Sequence, residues 1–226
     1  MDVINLIKII TTLITSGVSL VVGTRILILN RTDWLNRWFA LFLYSSASGF
    51  LIYAIYHLIL DNPTVIVPLM VTSHIFFNFL MVSLTMTVFV LEKYTKIAMS
   101  MKYLGTMLII FFIMSLGYFI FIPTLDMDRY NLGIVDTSTP LGWLITVNVI
   151  RVILGVYVVS RYIGTTKKME GDTRNRIKWF SYGVIMAVLG MIINLAGGAF
   201  SQLLIEIIAL IFVSIGAILI FKGFLI

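Results

Sequence analysis

The sequence predicts an all-α integral membrane protein, a bundle of seven transmembrane helices with its N-terminus outside and its C-terminus in the cytoplasm. Three observations carry this. The 226 residues are 60% hydrophobic and only 12% charged, against about half apolar and a quarter charged in soluble domains. Seven apolar runs are each long enough to cross ~30 Å of hydrocarbon at about 1.5 Å per residue. Lysine and arginine also gather in alternate connections, as topology signals do.

The runs cover about 4–29, 38–60, 65–91, 101–122, 141–163, 177–197 and 200–224. Nothing between them is long enough for a soluble core, so 1–226 reads as a single transmembrane domain. The first run lacks a basic leader and a small-residue cleavage site and is predicted to be a retained helix. The second opens at Arg37-Trp38-Phe39, and the third carries His74 and Asn78. The fourth follows Lys102, and the fifth has Arg151 near its midpoint. The sixth and seventh are separated only by the residues after Gly197-Gly198, a tight turn suited to a helical hairpin.

The first connection carries Arg25, Arg31 and Arg37, and the third carries Lys93, Lys96 and Lys102. The fifth carries Arg161, Lys167, Lys168, Arg174, Arg176 and Lys178. The second has Asp61 and no base, and the fourth has Asp126, Asp128 and Asp136 against Arg129 alone. Basic connections stay in the cytoplasm, which sets the orientation. Trp34, Trp38, Trp143 and Trp179 fall near span ends, where indoles favour the headgroup layer. The net charge of +6 therefore belongs to topology rather than to nucleic-acid binding.

Arg37-Trp38-Phe39 precedes Gly49 by the interval at which Lys178-Trp179-Phe180 precedes Gly190. Either a three-plus-one-plus-three duplication or the liking of interfaces for basic-aromatic starts produces such a match.

A lipid-facing cation at mid-depth costs ~2.5–3.5 kcal/mol on insertion scales, so Arg151 is predicted to face other helices. By residue count it lies about 15 Å below the outer boundary, His74 about 13 Å and Glu206 about 9 Å. His74 and Asn78 share a helix face, as do Asn148 and Arg151. With Asn194 these residues form a polar set in the outer half: His74, Asn78, Asn148, Arg151, Asn194 and Glu206. It reads either as a ligand site or as a buried polar cluster that fixes packing. Similar depth pairs Arg151 with Glu206, while Lys8, near a helix end, is expected to snorkel outward.

Chemistry is excluded more readily than assigned. Zero cysteines rule out disulfides and thiolate sites. Two histidines with no inward carboxylate cluster argue against a zinc site, and their unequal depths argue against bis-histidine haem. His74-Ile75-Phe76-Phe77-Asn78 is similar to one motif of intramembrane CAAX-type proteases, whose paired glutamates are absent. No retinal-type lysine stands mid-way along the seventh span, where Phe212 lies. No catalytic residue, metal or cofactor is read from the chain.

The aromatic second span Trp38-Phe39-Ala40-Leu41-Phe42-Leu43-Tyr44 and the basic stretch Arg174-Asn175-Arg176-Ile177-Lys178-Trp179, leading to Gly183 and Asn194, carry a resemblance. With its size and outside-to-inside course, the chain resembles the seven-transmembrane N-terminal sensor region of prokaryotic histidine kinases. The resemblance implies a prokaryotic plasma-membrane location and an output domain after the last helix. The chain stops at Ile226. It is therefore expected to be an excised sensor region or a receptor signalling through a cytoplasmic output protein or a membrane partner. The function expected is a receptor or sensor read from the outer half. The alternative is a small transporter or a structural subunit of a membrane complex. Prolines lie near span ends, at Pro63, Pro68, Pro123 and Pro140, whereas transporters break helices at the midplane.

Overall fold

The computed structural model describes residues 3–167, 169–200 and 202–225. Lys168, one of the basic residues named in the fifth connection, lies outside the described residues. Among the described residues, seven helices are long and apolar enough to cross a membrane. They are α1 (Val3–Leu29), α2 (Trp34–Leu58), α3 (Ile66–Ala98), a crossing over Met101–Ile120 that ends in α4 (Thr106–Ile120), α6 (Leu141–Thr166), α7 (Gly171–Phe200) and α8 (Leu203–Leu225). A short helix, α5 (Met127–Asn131), stands between two-residue strands β1 (Thr124–Leu125) and β2 (Thr137–Ser138).

The helix boundaries have local causes. Asp33 caps α2 by accepting from the Leu35 amide at 3.1 Å, and Asn62 caps the single turn Pro63–Val65 ahead of α3. Pro140 immediately precedes α6, where its missing N–H costs nothing. At Tyr94, near the end of α3, the backbone enters the left-handed region at φ 59° and breaks the helix. A wider turn over Met101–Gly105 then starts the fourth crossing. The α2 and α7 helices begin earlier than hydropathy predicts, because their first turns are polar and project beyond the apolar runs.

Six helices close a ring in the order α1, α2, α3, α6, α7, α8 and back to α1. The α4 helix stands outside it, over the α3 and α6 edge. It turns Ile109, Phe112, Ile113, Leu116 and Phe119 outward, as a lipid-facing helix does. Swapping the first three helices for the last three leaves the ring order unchanged. The matched residues Phe39 and Phe180 meet edge to face, with ring centroids 5.2 Å apart.

Helix α1 shows why the ring has a polar interior. Asn5, Lys8, Thr12, Thr15 and Ser19 recur at spacings of three and four and are all buried. Leu6, Ile10, Leu13 and Leu20 fill the outward face. This inverts the pattern of a soluble helix, because here the solvent of the outer face is hydrocarbon. The stripe bonds across the ring: Ser16 Oγ donates to the Ala47 carbonyl at 2.8 Å, Ser19 meets Ser46 at 3.1 Å and Thr15 meets Ser214 at 2.6 Å.

The α7 and α8 helices cross most closely. A Cβ at Gly183 would lie 2.6 Å from the Gly216 carbonyl oxygen, and one at Gly216 would lie 2.7 Å from the Gly183 carbonyl oxygen. Only glycine at both positions lets the two backbones touch.

The connection between α4 and α6 folds over one end of the ring, here called the hairpin end. Tyr130 and Val135 from it pack with Tyr56, Ile66 and Met70. Asn5 fastens it from below: its amide donates to the Gly133 carbonyl at 2.9 Å and accepts from the Val135 amide at 3.3 Å. Gly133, at φ 80°, adopts the turn that presents this carbonyl. At the other, basic end, Arg161 forks onto Glu92 at 2.6 and 2.7 Å, and Lys222 stands over the Trp179 ring at 3.7 Å.

Candidate functional site

The ring encloses a cavity of about 150 Å³. All six ring helices line it, among them Ser46 of α2, His74 of α3, Arg151 of α6, Asn194 of α7 and Val213 of α8. A second cavity of about 120 Å³ lies at the hairpin end, walled by Lys8, His57, Asp136 and Glu206. Tyr53, His74 and Asn194 belong to the walls of both, so the vestibule and the central cavity adjoin.

Between the central cavity and the basic end stands a cluster of aromatic rings. Phe39 contacts Phe180 at 5.2 Å and Phe224 at 5.4 Å, and Tyr162 meets Phe180 at 4.7 Å. The Tyr162 hydroxyl is held by Thr87 at 2.8 Å. Offset and edge contacts of this kind pack tightly and exclude water.

Arg151 turns into the bundle, in accord with the cost of a lipid-facing cation. Its Nε and Nη2 donate to the Asn78 amide oxygen at 3.1 and 2.6 Å. Its Nη2 also donates to the His74 carbonyl at 3.3 Å and lies 3.4 Å from His74 Nδ1. The acceptor is itself braced, because the Asn78 amide donates to Ser115 Oγ of α4 at 3.3 Å. His74 stacks on Tyr118 of the same helix, with centroids 4.9 Å apart. The outlying α4 thus holds the two α3 side chains that hold Arg151.

Depth alone pairs Arg151 with Glu206, and here the structure corrects the sequence. Glu206 Oε2 meets Lys8 Nζ at 3.0 Å in the vestibule. The reason is azimuth: Arg151 faces α3, whereas Lys8 and Glu206 face one another across the α1 and α8 contact. Lys8 does not snorkel outward; only 2% of its side chain is exposed.

The six residues singled out by sequence therefore divide. His74, Asn78 and Arg151 come together in one hydrogen-bonded group. Asn148 lines the same cavity, but its amide donates to the Leu144 carbonyl at 2.9 Å. Asn194 stands where the two cavities meet, and Glu206 belongs to the vestibule. Sequence reasoning turned Lys8 outward and missed Asn5, Tyr53 and Tyr118. The three-and-four spacing of polar residues along α1 was the signal for the first two; Tyr53 and Tyr118 had none distinct from other aromatics.

Fold and site together define a seven-helix membrane bundle with a polar-roofed interior chamber. No protein-family model, curated protein or solved structure matches this chain.

Proposed function

We propose that this protein is a membrane receptor or sensor module that binds a small ligand from outside and passes the change to its basic, cytoplasmic end. The observation that carries the reading is the one-sided chamber. A vestibule at the hairpin end adjoins the central cavity, and an aromatic plug stands at the far end. The concentration of twelve of the fifteen described basic residues at the basic end supports the hairpin end being outside. The helices run unbroken at the level of the cavity, α3 breaking only beyond it at Tyr94, which favours a sensor over a transporter that binds between discontinuous half-helices.

A ligand shifts such a bundle only by its differential affinity for two helix arrangements. The walls of the cavity include α7 and α8, and Phe180 and Phe224 of the plug belong to the same two helices. Movement at the cavity would then reach the basic connections, where a cytoplasmic output protein or membrane partner docks. The resemblance to sensor regions of prokaryotic histidine kinases supports this role.

The chain has no native cysteine, which permits a ligand-independent test. Ser46→Cys, modified with a neutral alkyl methanethiosulfonate, fills the cavity. Amide hydrogen exchange is then followed in nanodiscs. Exchange at the basic end, over residues 92–105 and 161–178, is expected to change. Changes confined to the cavity walls would remove the sensor reading.

A further inference from the structure

The central cavity is polar at one level and apolar at the next. Because successive membrane helices along the chain alternate in direction, residue numbers place His74, Asn148 and Asn194 toward the hairpin end. They place Phe42, Leu43 and Ile220 toward the plug. Arg151 lines the cavity at the junction and is only 6% exposed.

The electrostatics of this cation are incomplete. Its partners are neutral groups: the Asn78 amide, the His74 backbone and ring, and the Tyr118 phenol. No ion pair is formed by Arg151 among the described residues. The carboxylate of Glu206 is committed to Lys8. Dipoles orient a buried guanidinium but do not neutralise it, and a buried charge is stable only when paired or well solvated. The cavity beside it is where a counter-charge fits.

We propose that the cavity takes an amphipathic carboxylate, with its anionic head on the Arg151 guanidinium and a short apolar body among Phe42, Leu43 and Ile220. The inference rests on the cavity being a ligand site. With Nε and Nη2 engaged by Asn78 and His74, the guanidinium meets a carboxylate through its Nη1 side, in a charge-assisted hydrogen bond. A bare inorganic anion suits the chamber less well, because below Arg151 the wall offers only the hydroxyls of Thr15, Ser19 and Ser46, which already bond Ser214 and one another. A cavity of about 150 Å³ lined by apolar side chains admits benzene, so a body of about six to eight heavy atoms is the right size. The acid reaches the site dissolved, through the vestibule.

The test is calorimetric titration of the full chain in nanodiscs at constant sodium chloride. The probes are sodium hexanoate, its neutral isostere hexanamide, and palmitate. Hexanoate is expected to bind saturably and about tenfold or more tighter than hexanamide, the worth of a charge-assisted hydrogen bond. Arg151→Gln should lower hexanoate to the affinity of hexanamide and leave hexanamide unchanged. If that variant does not fold, the comparison of acid with amide on the unaltered protein decides the matter. Palmitate binding with hexanoate silent would overturn the short-bodied ligand, because a sixteen-carbon tail exceeds a cavity of about 150 Å³. Equal binding of hexanoate and hexanamide would overturn the anion inference alone. Raising sodium chloride until it displaces hexanoate completely would make the site one for inorganic anions and overturn it too. No binding by any probe would overturn the inference, and if hydrogen exchange also failed to respond, the ligand-site reading would fall with it.

Discussion

Lys8 Nζ and Glu206 Oε2 meet at 3.0 Å, joining the first and last membrane helices inside the vestibule. The partners are 198 positions apart, and their contact helps close the ring of six helices. The lysine side chain is 2% exposed and the glutamate 19%. That asymmetry decides which partner can be spared.

Glu206→Gln leaves a buried ammonium to the Tyr53 hydroxyl and the more distant Asp136 carboxylate and is expected to cost up to about 3–5 kcal/mol of stability. Lys8→Met leaves a carboxylate that still reaches the vestibule and should cost less. The double change should fall between neutral and the Lys8→Met value, because it removes the charge along with its partner. Thermal unfolding of the four proteins in one detergent measures this cycle. Additive losses would mean the two charges do not interact.

Asn5 holds the outer connection by two hydrogen bonds, to Gly133 and Val135. Asn5→Ala leaves a carbonyl and a buried N–H without partners, at about 1–3 kcal/mol for each unsatisfied group. The loss is local. Exchange of amides over residues 124–139 should quicken while the membrane helices stay protected. Uniform quickening would show that the connection is part of the global fold.

Gly183 and Gly216 let two backbones touch. Gly183→Val places side-chain atoms against the Gly216 carbonyl and the Ile220 amide, which cannot rotate away. Overpacking of this kind costs about 1–3 kcal/mol, and contact with backbone sets it at the upper end. Gly17, in the middle of α1, has nothing within 4 Å of an added Cβ. Gly17→Ala should raise stability by about 0.5–1 kcal/mol through helix propensity alone. Unfolding midpoints that move together for both variants would refute the distinction.

Orientation is open to the same cysteine-free background. Asp128→Cys, in the connection over the hairpin end, should react with an impermeant maleimide added to intact cells. Lys167→Cys, at the basic end, should react only after permeabilisation. Labelling of both from one side would contradict the topology.

The sequence alone determined what depends on distance along the chain. Seven crossings follow from apolar length, since each span must satisfy its backbone internally and match the hydrocarbon thickness. The depth of Arg151, His74 and Glu206 follows from residue count, and the inward turn of Arg151 follows from the cost of charge in lipid. His74 and Asn78 were legible as one face because four residues bring a helix round once.

Only the tertiary structure decided which faces meet. Two residues at similar depth, such as Arg151 and Glu206, lie on different sides of the ring once α1 contacts α8 and α3 contacts α6. Rotation about each helix axis is set by packing against neighbours, and most spans, α1 apart, read as apolar on nearly all sides. The place of α4 outside the ring, with Ser115 and Tyr118 bracing the group around Arg151, belongs to the same class. Lys8 lay between the two. Its depth suggested a snorkelling side chain, while its spacing with Asn5, Thr12 and Thr15 marked an inward stripe. The stripe prevailed because Glu206 supplies, inside the ring, the counter-charge that lipid cannot.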